Sequence, residues 1–165
     1  MRDTHPIEKI IALFILMIAL FLTSSVYAEL DWVLVATEYT PPKRDGHQMV
    51  YCVQDQIAVT FGAYVGSRLQ PLHAYDGENW WPIEPSGDWP SSRTNFGMAY
   101  DADRNVVVVF GGFQGGFDYL GDTWEWDGTQ WEEKFPEHSP SDSVDHAMTY
   151  CGSLGVSLLF GGYTE

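Results

Sequence analysis

One sequence pattern recurs three times along this chain of 165 residues, at an interval of about fifty residues. Its middle copy lies between Arg93 and Trp131 and contains an alternating stretch, a run of valines and a glycine pair. Shifting that copy by 49 residues toward the N-terminus, or by 50 toward the C-terminus, superimposes identical residue types. The matched positions are Met49, Met98 and Met148; Tyr51, Tyr100 and Tyr150; Phe61, Phe110 and Phe160; and Gly62, Gly111 and Gly161. This period predicts a repeat architecture in which each unit packs against its neighbours.

Each repeat has room for four short strands. Phe96–Tyr100 alternates and ends in an aromatic residue, whereas Val106–Phe110 is continuously apolar, which is typical of a strand buried on both faces. Thr123–Trp126 predicts a third strand, which an Asp-Gly turn connects to a fourth strand beginning at Trp131. The sequence therefore predicts an all-β fold built from four-stranded antiparallel sheets.

A glycine pair after an apolar strand, with a tyrosine upstream and a tryptophan downstream, resembles the kelch repeat. The segment 120–128 (Leu-Gly-Asp-Thr-Trp-Glu-Trp-Asp-Gly) is especially similar to kelch units of exported bacterial proteins. The positions that match the kelch structural motif are Tyr51, Gly62, Trp81, Tyr100, Gly111, Gly112, Trp126, Trp131, Tyr150, Gly161 and Gly162. The resemblance implies a β-propeller. Two positions depart from the pattern: Ala63 replaces a motif glycine, which predicts a looser bend, and Ser143 replaces the arginine of the other repeats.

Under this resemblance, residues 29–165 supply only part of a propeller. Blade one is expected at about residues 42–85, blade two at about 91–135, and half of a third blade at about 141–165. Residues 32–36 match a fourth strand that lacks its own first three, as expected for an N-terminal strand that closes the last blade of a ring. We therefore expect the remaining blades in a longer form of the same polypeptide. Assembly of several copies into one ring is the alternative.

Residues 1–28 have the features of a secretory signal peptide. Arg2 and Lys9 precede the apolar run Ile10–Leu22, and a Val-Tyr-Ala sequence ending at Ala28 has the form of a cleavage site. The apolar run is short for a membrane span. The protein is therefore expected to be exported to the periplasm, the cell envelope or the medium, with no stable membrane span after cleavage. Retention of the segment as an anchor is the alternative.

The net charge of −15, from 23 acidic and 8 basic side chains, argues against binding to nucleic acid or to anionic lipid surfaces. The acidic surface serves solubility or, alternatively, attracts a cation or a cationic partner. Cys52 and Cys151 hold equivalent positions two repeats apart, which should exceed the separation of about 7 Å that a disulfide tolerates. Free thiols, or pairing with cysteines in the missing part, are expected.

No catalytic or metal-binding motif is present in the sequence. His-x-x-x-His, Cys-x-x-Cys and Gly-x-Ser-x-Gly spacings do not occur, and Gly115-Gly116 precedes no predicted helix that would bind phosphate. Asp101 and Asp103 flank a hairpin and are expected to be turn residues. We therefore predict no cofactor and favour a non-enzymatic function. The alternative is the N-terminal part of a kelch-fold enzyme that resembles galactose-oxidase-type copper-radical carbohydrate oxidases or sialic-acid mutarotases.

The loops before each first strand and after each second strand are expected to share one face of the propeller. Aromatic rings next to Arg, Gln and Asp on that face suit a carbohydrate or protein ligand. The predicted ligand-binding residues are Arg44, Tyr64, Arg68, Arg93, Phe113, Gln114, Phe117 and Tyr119. The competing interpretation is that these aromatic residues pack between blades and that the arginines pair with nearby acids. The predicted function is that of an exported binding module.

Overall fold

Ten antiparallel strands form the regular structure of the residues that the computed structural model describes, which are 32–63, 72–84, 86–115 and 118–164. No helix occurs within these ranges. The strands belong to one compact unit, Val35–Glu165. The predicted signal peptide, 1–28, lies outside the described residues.

The strands form three sheets whose strand order follows the sequence. The first sheet contains β1 (Gln48–Cys52), β2 (Ile57–Phe61), β3 (Leu72–Tyr75) and β4 (Trp80–Ile83). The second contains β5 (Gly97–Asp101), β6 (Val106–Phe113), β7 (Tyr119–Trp126) and β8 (Trp131–Lys134). The third contains β9 (Val144–Cys151) and β10 (Val156–Tyr163). The prediction of an all-β fold with four-stranded antiparallel sheets is confirmed.

The apolar core lies between the first and second sheets. The strand β6 is buried along most of its length, as its run of β-branched residues predicts. Phe61 from β2 contacts the ring of Phe96, with centroids 5.6 Å apart, and the ring of Trp131, with centroids 5.1 Å apart. All three side chains are buried, so these rings join the second strand of one sheet to the fourth strand of the next and to the residue that precedes its first strand.

The same backbone contact joins each sheet to the following one. The amide N–H of Asn95 donates to the carbonyl of Gly46 at 3.1 Å, and the amide N–H of Asp145 donates to the carbonyl of Asn95 at 2.9 Å. Gly46, Asn95 and Asp145 hold equivalent positions in the three repeats, and all have positive φ, at 63°, 58° and 58°. Because Gly, Asn and Asp accept this conformation more readily than other residues, the repeat can place a donor and an acceptor here in every unit.

Side chains repeat from one junction to the next as well. The Phe61–Phe96 ring contact of the first junction becomes Phe110–His146 at the second, again with centroids 5.6 Å apart. A tyrosine also reaches back to the hairpin turn of the preceding sheet at both junctions. The pairs are Tyr100 Oη with the amide N–H of Gln54, at 3.4 Å, and Tyr150 Oη with the carboxylate of Asp103. The two junctions therefore have the same construction.

The sequence pattern predicts that the glycine pair of the second repeat ends the second strand. In the structure the strand continues through this pair. A register shift between Phe110 and Gly112 introduces a β-bulge, so β6 continues to Phe113. A Cβ on Gly112 would lie only 2.7 Å from the Cβ of Phe96, which explains the need for glycine. In the first repeat Ala63 holds the corresponding position with a φ of 145°, and β2 already ends at Phe61.

Residues 32–36, predicted as a closing strand, do not form a strand in the structure. Trp32, Val33 and Leu34 are exposed. A strand needs a neighbouring strand to accept and donate ladder hydrogen bonds, and residues 32–36 belong to none of the described sheets. The closing role of this segment therefore stays a prediction.

Candidate functional site

A cleft lies between the second and third sheets, at the end of the molecule where β5 and β9 begin and β6 ends. It has a volume of about 240 Å³ and is lined by Asn95, Phe113, Tyr119, Val144 and Asp145. We call it the aromatic cleft. Phe113 and Tyr119, two of the predicted ligand-binding residues, therefore lie next to each other at a junction between sheets.

The backbone holds the two aromatic rings in place. Phe113 and Thr94 exchange two hydrogen bonds, with N···O distances of 2.8 and 2.9 Å. Phe113 also faces Tyr119 across the β6–β7 ladder, and the two rings meet edge to face with centroids 6.2 Å apart and an interplanar angle of 77°. Each ring is only half-buried, so part of its surface remains available to a ligand.

Asn95 and Asp145 form the polar side of the aromatic cleft. The side-chain amide of Asn95 donates to the carboxylate of Asp145, and the backbone contact between the same two residues fixes their separation. Both residues are exposed. Neither residue is predicted from the sequence as a site residue, because an Asn and an Asp in loops are ordinary. Their alignment with Gly46 at the repeat spacing is the signal that identifies them as a set of left-handed residues.

The chemistry of the aromatic cleft favours a ligand with apolar surface and hydrogen-bond donors. Two ring faces supply area for packing, and a carboxylate accepts hydrogen bonds from amides, hydroxyls or a cationic side chain. Lysine and arginine are absent from the described residues that line it. The site therefore does not suit an anionic group.

Arg93 is a correction to the predicted set of ligand-binding residues, because its side chain is buried and saturated with internal hydrogen bonds. It is 1% exposed and forms a bidentate ion pair with Asp122, with both N···O distances 2.7 Å. Its other donors reach the carbonyls of Gly111, at 3.0 Å, and Ser91, at 3.1 Å, and the Ser91 hydroxyl, at 3.2 Å. Burial alone would raise the pKa of Asp122, but the hydrogen bonds and charge of Arg93 outweigh it and lower that pKa. Arg93 therefore agrees with the competing interpretation, in which the arginines pair with nearby acids.

Arg44 holds the same repeat position as Arg93 but has different neighbours. Its Nη2 lies 3.0 Å from Nδ1 of His73, and its Nε donates to the carbonyl of Pro42 at 3.4 Å. Tyr39 Oη lies 2.9 Å from Nε2 of His73, and the two rings stack with centroids 5.9 Å apart. His73 is fully buried, whereas Arg44 is half-buried and Tyr39 is 40% exposed. Burial lowers the pKa of Arg44.

Gln114, another predicted ligand-binding residue, forms a backbone contact in the structure. The amide N–H of Gln114 donates to the carbonyl of Asp118 at 3.4 Å, which closes a short loop next to Phe113. Tyr64, Arg68 and Phe117 lie outside the described residues. Their roles as ligand-binding residues stay predictions.

The residues that match the kelch pattern in the sequence have structural roles at most of the positions that the structure describes. Trp126 and Trp131 are buried with ring centroids 6.5 Å apart, and Trp81 packs against the same cluster. Gly62, Gly111, Gly112, Gly161 and Gly162 all have positive φ. Tyr100 and Tyr150 bridge to the preceding hairpin turn, whereas Tyr51 is 57% exposed because no described sheet precedes the first.

A second concave surface is formed where the first strands of the three sheets converge. A cavity of about 370 Å³ there is lined by residues of all three strands, among them Gln48, Met98 and His146. The His146 ring packs on Phe110, and its Nδ1 lies 3.3 Å from the hydroxyl of Ser143. Burial lowers the pKa of His146, so its imidazole is neutral at pH 7. The ring replaces a phenylalanine of the preceding repeat and has the same packing role.

Acidic side chains serve the hairpin turns. Asp101 Oδ1 accepts from the amide N–H groups of Asp103 and Arg104, at 3.0 and 3.1 Å, and its Oδ2 accepts from Arg104 Nε at 2.7 Å.

In the part of the chain that the structure describes, no group of three or more His, Cys, Asp or Glu side chains is arranged to hold a metal ion. Over the same residues, no helix has the length and hydrophobicity needed to cross a membrane.

Comparison with known proteins gives one distant similarity. The chain is 27% identical over 139 residues to the host cell factor homolog hcf-1 of Caenorhabditis elegans. The match covers 79% of this chain but 17% of that protein, so the chain corresponds to a small part of its relative. No protein-family model matches the chain.

Proposed function

We propose that this chain is part of a kelch-type β-propeller that binds a protein partner through the aromatic cleft. The observation that supports this most directly is the assembly of two half-buried rings, an amide and a carboxylate at a sheet junction. Exposed aromatic residues that a rigid backbone holds in place are typical anchors of protein interfaces. The similarity to a host cell factor homolog over most of this chain favours a protein rather than a carbohydrate as the ligand.

The propeller part of the proposal rests on the two sheet junctions, which have the same construction. Repetition of one junction generates either a closed ring or an open superhelix. The third sheet favours continuation, because Phe160 is 85% exposed while its equivalent in β6, Phe110, is 3% exposed and covered by the following sheet. A cryo-EM structure of the full-length polypeptide would test this part: a closed ring of sheets is expected, and an open superhelix would contradict it.

Photocrosslinking tests the binding part. With p-benzoylphenylalanine at position 113, a protein partner should be captured from the native source, whereas the same group at position 135 should not capture it. Phe135 is a matched control because it is 82% exposed and does not line the aromatic cleft. Purified partner should then bind Phe113→Ala and Tyr119→Ala about tenfold or more weakly than Phe135→Ala, as expected when an interface anchor is lost. Equal binding by all three variants would refute the assignment of the cleft.

A carbohydrate ligand is the second candidate, supported by the same combination of aromatic faces with amide and carboxylate groups. Screening the purified protein on a glycan array separates the two. Sugar binding that Phe113→Ala abolishes would replace the protein ligand with a carbohydrate. The enzymatic alternative requires catalytic residues in other blades, and metal analysis of the full-length protein tests it.

We also propose that the protein is exported, on the basis of the apolar run Ile10–Leu22 and the small residues that follow it. N-terminal sequencing of the mature protein tests this proposal. A mature chain that starts at Glu29 is expected, and a cytosolic chain that retains residues 1–28 would contradict export.

A further inference from the structure

The repeat places an arginine beside a third-strand residue in both four-stranded sheets. Arg93 and Arg44 hold the same repeat position, 49 residues apart. In the second sheet, Asp122 binds both Nη atoms of Arg93 at 2.7 Å. In the first sheet the ring of His73, whose place in the ladder corresponds to Trp124 and not to Asp122, contacts Nη2 of Arg44.

The first sheet therefore presents Arg44 with an imidazole and not with a carboxylate. A guanidinium group only donates hydrogen bonds, so Nδ1 of His73 accepts the one from Arg44 Nη2. The ring is then neutral with its proton on Nε2, which donates to Tyr39 Oη at 2.9 Å. The hydroxyl hydrogen of Tyr39 is left for another acceptor. Arg44 Nη1 is buried and has no hydrogen-bond partner among the described residues.

No acidic side chain of the described residues compensates the positive charge of Arg44. Among the described residues no Asp or Glu forms an ion pair with it, although acidic side chains outnumber basic ones by 23 to 8 in the whole chain. The segment 64–71, between β2 and β3, contains no acidic residue in its sequence. A buried cationic donor without an acidic acceptor is costly, and one carboxylate would satisfy both its charge and its N–H.

We propose that Arg44 and Tyr39 form a subsite for a carboxylate that a protein partner supplies, from an Asp or Glu side chain or a C-terminus. The ligand would accept hydrogen bonds from Arg44 and compensate its charge, as Asp122 does for Arg93, and the Tyr39 hydroxyl would be a further donor. Arg44 is half-buried and Tyr39 is 40% exposed, so the pair is accessible from the surface. Only the source of the carboxylate rests on the proposed protein-binding function.

Acetate is a suitable probe because it is the smallest carboxylate with the required geometry. The full chain is titrated with sodium acetate, with sodium chloride added to keep the ionic strength constant, while NMR follows the Nε–Hε signal of Arg44. A saturable shift is expected for the wild-type chain, and none is expected for the Arg93 signal. A titration with sodium chloride alone controls for general screening of charge.

Two variants of one residue provide the decisive contrast. His73→Asp supplies an internal carboxylate and should weaken the acetate response about tenfold or more, because the charged donor is already occupied. His73→Asn is similar in size but uncharged, and should retain the response. An equal response in both variants, or no saturable response in the wild-type chain, would overturn the subsite.

The source of the carboxylate is tested with N-acetyl-aspartyl amide and glucuronate at the same concentrations. An aspartyl response at least as strong as the glucuronate response is expected. A glucuronate response about tenfold stronger would overturn the assignment to a protein carboxylate. The acetate titration requires no partner, and the partner-binding assay with Phe113→Ala requires no acetate, so failure of the aromatic cleft as a partner site and failure of this subsite give different results.

Discussion

The first and second sheets place an arginine at the same repeat position but differ in how its charge is compensated. Arg93 in the second sheet is fully buried, and a carboxylate and backbone carbonyls accept its hydrogen bonds. Arg44 in the first sheet is half-buried and faces the imidazole of His73. The repeat thus determines where the guanidinium lies, and the third-strand residue that contacts it determines whether a described carboxylate compensates its charge. Two units with the same strand order can therefore differ in how they compensate the same charge.

The largest difference between the sheets should appear when the third-strand partner is removed. Asp122→Ala leaves a fully buried guanidinium unpaired and should lower the free energy of unfolding by about 3 kcal/mol or more. His73→Ala should cost about 1–2 kcal/mol, because only neutral packing and hydrogen bonds are lost. Urea unfolding of both variants measures the difference. Arg93→Met combined with Asp122→Leu should recover much of the loss, and equal losses for the two single variants would refute the comparison.

Adding a carboxylate to the first sheet should raise the free energy of unfolding, whereas removing the carboxylate of the second sheet lowers it. His73→Asp places a carboxylate beside Arg44 and should raise the free energy of unfolding by about 1 kcal/mol at pH 7. The gain is smaller than the loss in Asp122→Ala because Arg44 is half-buried. His73→Asn is the uncharged control in the same urea titrations. A destabilised His73→Asp variant would show that the geometry of the first sheet does not accept an ion pair.

Acid should weaken the second sheet through Asp122. Its pKa is lowered in the folded protein, so it contributes stability above the unfolded value of about 3.9, and this contribution is lost as the pH falls through the folded value. Wild-type stability should therefore fall more steeply below pH 4 than that of Asp122→Asn. Urea midpoints measured from pH 6 to pH 2 test this, with His73→Asn as the control from the first sheet. Parallel pH profiles for wild type and Asp122→Asn would contradict it.

The smallest effect concerns the last residue of the first strand in each sheet. It is Cys52 in the first sheet, Asp101 in the second and Cys151 in the third, so the two cysteines can be compared directly. Burial and the nearby Asp55 raise the pKa of the Cys52 thiol to about 12, whereas a hydrogen bond from Ser153 lowers the pKa of the partly exposed Cys151. Cys52 should react with iodoacetamide about a hundredfold more slowly than Cys151 at pH 8. Mass spectrometry of the peptides measures both rates, with urea-unfolded protein as the control. Equal rates in the folded chain would show that Cys52 is accessible.

The sequence predicts the strands well because their signal is local. The valine run of β6 is recognisable by itself, and the spacing of the tyrosines, phenylalanines and glycines shows that the unit repeats. The bulge that extends β6 to Phe113 is not predicted, since it depends on pairing with Tyr119 across a loop. The glycine pair appears in the sequence as an end of the strand, although it allows the strand to continue.

The candidate site is predicted only in part, because burial depends on partners that are distant in the sequence. Arg93 and Arg44 look alike in the sequence, and only the contact with Asp122, 29 residues away, shows that Arg93 is internal. Phe113 and Tyr119 are predicted because aromatic residues in a glycine-rich loop are conspicuous. Asn95 and Asp145 are missed, since their role comes from backbone conformation and not from side-chain chemistry.

The backbone contact through Gly46, Asn95 and Asp145 has a consequence for how such a protein can change its size. Each of these residues is positioned to accept from one neighbour and to donate to the other, as Asn95 does. A duplicated unit would therefore contain both halves of the connection, and a deleted unit would remove both. Gain or loss of a whole repeat would need no new compensating substitution at this contact, while the side chains of the same loops remain free to diversify.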